Sequence, residues 1–221
     1  MGSKAHRIGR LHVLTDFYFQ QSLGADRLAE LAIRGGADTI QFRQKQGPIR
    51  HKLIEAERVA RVCQETGTPL IIDDHIEVCL GVGADGVHLG QEDFPIALAR
   101  RVLGSECIIG ATATTLEQAR QARDEGADYI GFGPVFPSAS KDKIASVKGT
   151  EALASVCAAV DIPVIAIAGI SVERIEQVMR AGAHGVAVLR AVSGAQDPAA
   201  AASELRNELN RWIRVTTTAA S

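Results

Sequence analysis

Eight short apolar runs recur along the chain, and the segments between them have helical rather than alternating character. The runs are residues 11–15, 39–43, 69–73, 86–90, 107–111, 129–133, 163–168 and 185–189. Most are apolar at odd and even positions alike, the pattern of a strand buried on both faces. Two open on a proline, Pro69 and Pro163, which suits the first residue of a strand. Between the runs, residues 49–66 set Leu53, Ile54, Ala56, Val59 and Ala60 at helical spacing, and residues 116–125 and 172–181 are similar. Thr115, followed by Glu117 and Gln118, and Ser171, followed by Glu173, stand where helices should start.

Four of the runs follow a repeated tripeptide. Gly36-Ala37-Asp38, Gly83-Ala84-Asp85, Gly126-Ala127-Asp128 and Gly182-Ala183-His184 each precede a strand directly. A glycine there answers the left-handed backbone that commonly ends a helix. Eight strands alternating with helices imply parallel pairing through right-handed crossovers. The pattern predicts an α/β protein, a single (β/α)₈ TIM barrel over residues 1–221, with its core at about residues 11–214 and flexible ends. A doubly wound open sheet is the alternative, and the fourfold repeat favours closure. The longest connection, residues 134–148, is long enough to be expected to serve the site.

Composition narrows the function. Formal net charge is −2, and only 4% of residues are aromatic, so neither a basic face nor a base-stacking platform is predicted and nucleic acid is not an expected partner. No apolar run reaches a membrane span and residues 1–10 hold no apolar signal segment, so a cytoplasmic protein without membrane association is expected. Cys63, Cys79, Cys107 and Cys157 form no CxxC pair and read as reduced thiols. A homo-oligomer is left open.

The chemistry of a barrel sits where its strands end. The second strand ends in Gln41-Phe-Arg43-Gln-Lys45, with Gln41, Arg43 and Lys45 on one face. A buried strand has no structural need for such groups, which are costly near an interior unless used. The third ends in Asp73-Asp74-His75, and Gln91-Glu92-Asp93 follows the fourth. Carboxylates from adjacent strands suit Mg²⁺ completed by substrate phosphate and water; the competing reading makes Asp74 and Asp93 helix caps. Thr112 ends the fifth strand, with Thr114 or Thr115 left to cap the next helix. After the sixth come Ser138, Ser140 and Lys141, either a phosphate clamp or a solvated loop. Gly169 after the seventh strand and Arg190 after the eighth occupy the common phosphate cradle of barrels. His12, His88 and His184 read as structural. No Ser/His/Asp or Cys/His arrangement stands at the strand ends, which argues against covalent hydrolase chemistry.

These residues carry a resemblance. From His12 to about Ala195 the chain resembles the thiamine-phosphate synthase (thiamin phosphate pyrophosphorylase) family, most specifically through Gln41-Phe-Arg-Gln-Lys45, Gly86-Val-His-Leu-Gly-Gln-Glu-Asp93, and Gly126 to Pro137 with Lys141 following. The resemblance implies a transferase that joins a hydroxymethylpyrimidine diphosphate to a hydroxyethylthiazole phosphate, releasing pyrophosphate through a cation-like transition state. It implies that Gln41, Arg43, Lys45 and Lys141 hold the diphosphate, the last three as the catalytic cations. Asp74 and Asp93 would hold Mg²⁺, and Thr112 and Asp73 would stand near the pyrimidine. Ser138 and Ser140 would stand near the thiazole, while Gly169 and the amides of Leu189 and Arg190 would take its phosphate. Gln44, where the family commonly has an acid, is included with the substrate contacts. Asp73 replaces a usual Asn, His75 a common Arg, Ala168 the first of two usual glycines, and Arg190 a usual Ser.

Three rivals remain: a thiazole tautomerase on the same fold, a phosphate-ligand-binding barrel without turnover, and another phosphate-handling barrel, such as an epimerase or an indole-type synthase, which would lack the paired Asp and the Lys141 loop. The tautomerase branch uses a His after the fifth strand, where this chain reads Thr112-Ala-Thr-Thr115.

Overall fold

Inward and outward positions on eight parallel strands divide the core into two apolar bodies. In the computed structural model, described for residues 8–16, 23–138 and 146–219, the strands are β1 (Leu11–Asp16), β2 (Thr39–Arg43), β3 (Leu70–Asp73), β4 (Gly86–Leu89), β5 (Ile108–Ala113), β6 (Tyr129–Phe132), β7 (Val164–Ile167) and β8 (Gly185–Val188). They pair in chain order and β8 returns to β1, so the sheet is a closed barrel. The helices are α1 (Ala25–Arg34), α2 (Ile49–Thr66), α3 (Ile76–Val82), α4 (Ile96–Leu103), α5 (Leu116–Asp124), α6 (Gly149–Ala159), α7 (Ile175–Arg180), α8 (Arg190–Ser193) and α9 (Pro198–Ala219). The larger apolar body, including Val13, Phe42, Ile72, Val87, Ile130 and Val186, lies between barrel and helices. The smaller, Ile71, Ile108, Tyr129 and Ile165 with Leu14 and Ile167, fills the barrel itself. α9 closes the ring by packing on α1, α7 and α8. Across that seam the Arg180 guanidinium lies 5.3 Å from the centre of the Trp212 ring.

The tripeptide repeat has a structural cause at both ends. Gly36, Gly83, Gly126 and Gly182 all adopt positive φ, between +63° and +99°, which a residue with a Cβ takes only at a cost. The aspartates then latch neighbouring strands. Asp38 accepts the Leu11 amide at 2.8 Å, Asp85 the Leu70 amide at 3.0 Å, and Asp128 the Ile109 amide at 2.8 Å. Each carboxylate thus satisfies a backbone donor where the preceding strand begins. In the fourth unit His184 acts through its ring, whose Nε2 donates to the Ile8 carbonyl at 3.0 Å.

Asp128 also pairs with Arg100 of α4 at 2.5 Å, and Arg100 donates to the carbonyls of Gly104, Cys107 and Gly126. Asp128→Ala should therefore cost about 2–4 kcal/mol of stability, because it strands a partly buried guanidinium and a strand amide together. Urea unfolding measures this. A loss under about 0.5 kcal/mol would show the latch to be dispensable.

Among the described residues no helix is long and apolar enough to cross a membrane. Among the described residues Cys63, Cys79, Cys107 and Cys157 form no disulfide.

Candidate active site

Alternation along the strands selects which residues meet inside the barrel mouth. His12, Leu14 and Asp16 on β1, Gln41 and Arg43 on β2, Asp73 on β3, His88 on β4, Thr112 on β5, and Tyr129 and Gly131 on β6 share the inward parity. At the carboxyl ends of the strands a cavity of about 770 Å³ opens. It is lined by Gln41, Arg43, Lys45, Asp73, Asp74, Asp93, Thr112, Ser138, Gly169, Leu189 and Arg190, which gathers most of the residues singled out in the sequence. Gln44 is not among the lining residues. Parity explains this, since it stands between Arg43 and Lys45, and its Oε1 is buried without a hydrogen-bond partner among the described residues. Ser140 and Lys141 lie outside the described residues. A larger cavity, about 1060 Å³, opens at the other end of the barrel. Asp38, Asp85 and His184 line it, and they are already engaged in latching strands.

One side of the mouth is an interlocked charge cluster. Arg43 forms a close ion pair through Nη1 with Asp16 and places Nε 3.8 Å from Asp73. Gln41 Nε2 donates to Asp73 in a short hydrogen bond. The Asp73 carboxyl is pushed up to about 8, first by burial and then by Asp74, against the opposing pull of Arg43, Gln41 and Lys45. The chain then turns sharply out of β3. The Asp74 amide donates to the His88 carbonyl at 2.9 Å and the His75 amide to the Asp73 carbonyl at 2.8 Å. Asp74 itself adopts φ +66°, a conformation strained for a residue with a Cβ and typical of working sites.

Neither Asp74 nor Asp93 caps a helix. His75 precedes α3 and Pro95 precedes α4, in both cases without a side-chain cap. Asp93 instead folds back onto the β4 exit, where its Oδ2 accepts the Gly90 amide at 2.6 Å. A Cβ on Gly90 would sit 2.8 Å from that oxygen, so the glycine makes the approach possible. Burial and the nearby Asp74 carboxylate raise the Asp93 pKa. Two carboxylates held this close repel unless a cation stands between them. Lys45 Nζ reaches Asp74 at 3.3 Å from the exposed rim. Behind it the buried Lys52 donates to the Lys45 carbonyl at 3.2 Å and to His75 Nε2 at 2.7 Å, and His75 Nδ1 donates to Glu77. Lys52 therefore anchors the segment that carries Lys45.

The opposite side is built from β7 and β8, which face β3 and β4 across an eight-stranded barrel. Ala168 and Gly169 both adopt φ +69°. The conformation at 168 accounts for a glycine being usual there. A Cβ on Gly169 would meet the Pro137 carbonyl at 2.6 Å, so the β6 and β7 exits touch backbone to backbone. Arg174 fastens this contact. It donates to the Gly169 carbonyl at 2.5 Å and stacks 4.7 Å above the Phe136 ring. Arg174 lies in a 3₁₀ turn, Val172–Arg174, ahead of α7, where a continuous helix from Ser171 is expected from sequence. The Ser171 hydroxyl donates to Glu173 and caps nothing. Thr115, by contrast, caps α5 by accepting the Gln118 amide.

The family model described as thiamine monophosphate synthase matches residues 19–192. The chain belongs to the thiamine monophosphate synthase family. It is accordingly an enzyme of the transferase class. A thiamine-phosphate synthase of Salinibacter ruber is 58% identical over 207 residues, covering 94% of this chain and 91% of that protein. One of Chloroflexus aurantiacus is 42% identical, covering 89% and 91%. Among solved structures, a thiamine phosphate pyrophosphorylase from Pyrococcus furiosus superposes with a TM-score of 0.85 at 36% identity, covering 94% of this chain and 98% of its own. Of the residues that differ from the family's usual pattern, Asp73 stands in a barrel strand, β3, whereas Gln44, His75, Ala168 and Arg190 lie just past strand ends.

Asp73 makes a pH-dependent prediction. The folded carboxyl keeps its proton to about pH 8, whereas the unfolded one releases it near 4. The folded state binds more protons between those values, so this group's contribution to stability falls as pH rises through that window. Asp73→Asn removes the effect. The stability of wild type minus that of the variant should decline by about 2–5 kcal/mol between pH 4 and pH 8. Urea unfolding without divalent metal tests it, and a flat difference would contradict it.

Proposed function

We propose that the protein joins 4-amino-2-methyl-5-(diphosphooxymethyl)pyrimidine to 4-methyl-5-(2-phosphooxyethyl)thiazole, giving thiamine phosphate and pyrophosphate with Mg²⁺. The observation that carries this reading is the two-sided cavity. Cations and paired carboxylates on the β2–β4 side face the Gly169, Leu189 and Arg190 rim on the β7–β8 side. Two phosphorylated small molecules can therefore lie with their reacting ends between the two rims.

Arg43 and Lys45 bind the diphosphate, with Lys141 assigned to the same task by the family's pattern. Gln41, Asp73 and Thr112 border the pyrimidine ring. Gly169 and the amides of Leu189 and Arg190, where the chain enters α8, take the thiazole phosphate. Ser138 and Ser140 border the thiazole. The C–O bond to the diphosphate breaks with its electron pair leaving on oxygen, and the thiazole nitrogen lone pair forms the new C–N bond. That nitrogen carries no proton, so no general base is needed, in keeping with a site that offers cations rather than a catalytic histidine pair. Arg43 and Lys45 stabilise the charge that grows on the leaving group.

Asp74 and Asp93 fit a hard cation. Their mutual repulsion is what a cation relieves, and among the described residues no third His, Cys, Asp or Glu joins them to close the shell. That donor set suits Mg²⁺ completed by phosphate oxygens and water. Bound there, Mg²⁺ supplies charge neutralisation for the departing pyrophosphate.

The test is direct. Purified protein given both precursors and Mg²⁺ should form thiamine phosphate and pyrophosphate in equal amounts. Absence of product under those conditions would leave only a phosphate-ligand barrel.

A further inference from the structure

Behind Thr112 the barrel's inner wall holds two buried hydrogen-bonded side chains that the reaction above does not use. Tyr129, 1% exposed, opens β6 on the inward face. Its hydroxyl lies 3.0 Å from His88 Nδ1, and His88 Nε2 lies 2.8 Å from Thr112 Oγ1. Thr112 in turn lines the cavity. Two glycines make room for this chain. A Cβ on Gly110 would sit 2.1 Å from the Tyr129 ring and 2.5 Å from His88 Nδ1, and one on Gly131 would sit 2.9 Å from His88 Cε1. Neither glycine has a positive φ, so space rather than backbone freedom is what they provide.

Such a chain has two polarities, because a neutral imidazole carries one N–H. In the first, the phenol donates to Nδ1 and Nε2–H donates to Thr112 Oγ1. In the second, Thr112 donates to Nε2, Nδ1–H donates to the phenol oxygen, and the phenol proton needs another acceptor. Among the described residues His88 is the hydrogen-bond partner of the Tyr129 hydroxyl. The neighbouring His12 ring, 5.5 Å away between centres, does not take the proton, since its Nδ1 has no hydrogen-bond partner among the described residues. A buried O–H without an acceptor is costly, so the first polarity is favoured. Thr112 then receives a proton from His88 and must point its own elsewhere.

We propose that Tyr129 and His88 are positioning residues that commit Thr112 to donate its hydroxyl proton into the cavity, so that the site selects an aromatic ring nitrogen at that point of the bound pyrimidine. The identity of the acceptor rests on the proposed reaction; the polarity of the chain does not.

Nitrogen NMR of histidine-labelled protein reads the polarity without substrate. The His88 signals, identified by their loss in His88→Gln, should be those of the Nε2–H tautomer with bare Nδ1, and Tyr129→Phe should abolish that preference. In steady-state assays Tyr129→Phe and Thr112→Val should each raise KM for the pyrimidine diphosphate about three- to tenfold, the worth of one neutral hydrogen bond. KM for the thiazole phosphate should stay constant, and Thr112→Ser should retain tight pyrimidine binding. A pyrimidine analogue with the ring nitrogen replaced by CH should bind wild type and Thr112→Val equally. An Nδ1–H tautomer overturns the relay, and equal rises in both KM values overturn the selection. A wild type that makes no thiamine phosphate refutes the proposed reaction and with it the pyrimidine acceptor, while the tautomer still decides the relay.

Discussion

Asp93→Ala should lower the Mg²⁺-dependent rate of thiamine phosphate formation by about 10²- to 10³-fold, the scale of losing one preorganised electrostatic contact to a leaving group. The fold should be nearly untouched. Asp93 is half-buried, and besides its contact with Asp74 its carboxylate holds the Gly90 amide, a bond worth about 1 kcal/mol. Removing the carboxylate also ends its repulsion with Asp74, which acts in the opposite direction. For a chain of this length about 1 kcal/mol moves Tm by roughly 2–4 °C. A second readout separates metal binding from general damage. Millimolar Mg²⁺ with pyrophosphate should raise the Tm of wild type and leave that of Asp93→Ala unchanged. Near wild-type turnover by the variant would remove Asp93 from the metal site.

The legible and illegible parts of this site differ in how far apart the partners lie along the chain. Arg43, Asp73 and Asp74 stood out because charge at the end of a buried strand is expensive and calls for a use. The eight strands agreed with their apolar runs to within about two residues at each end, because burial on both faces leaves little freedom in where a strand can lie. Parity was available in the sequence as well. It separates Gln44 from Arg43 and Lys45, and it brings Asp16 inward two residues after Leu14, although an acid ending the first strand draws no notice by itself. Three features needed the folded chain. Arg174 looks like a solvated helix residue until Phe136 and the Gly169 carbonyl, from other turns, come beneath it. The Asp of each Gly-Ala-Asp repeat acts on the strand before its own. Gly110 and Gly131 read as ordinary strand glycines until the His88 and Tyr129 rings fill the space beside them.

Arg43→Ala should produce two losses with different pH profiles. The guanidinium lies between two buried carboxylates, Asp16 and Asp73, and also faces the diphosphate pocket. Turnover should fall by about 10³-fold, because the cation that meets the leaving group is gone. Stability should fall by about 3–5 kcal/mol where both acids are charged, the usual cost of removing one partner from a buried pair. The second loss depends on pH. Arg43 holds the Asp73 carboxyl down against burial and Asp74, so removing it drives that carboxyl further up. An acid whose folded pKa is raised loses stabilisation as pH rises, so the variant's deficit should be smallest near pH 5 and grow through pH 8 and beyond. Arg43→Lys restores the charge but not the fork that reaches two carboxylates at once, and should recover part of the stability and little of the rate. Combining Arg43→Ala with Asp73→Asn provides the decisive comparison. If the guanidinium's structural task is to hold Asp73 ionised, the double variant should be more stable than Arg43→Ala at pH 8.5 and no more active. Equal stability of the two at that pH would assign the structural task to Asp16 alone.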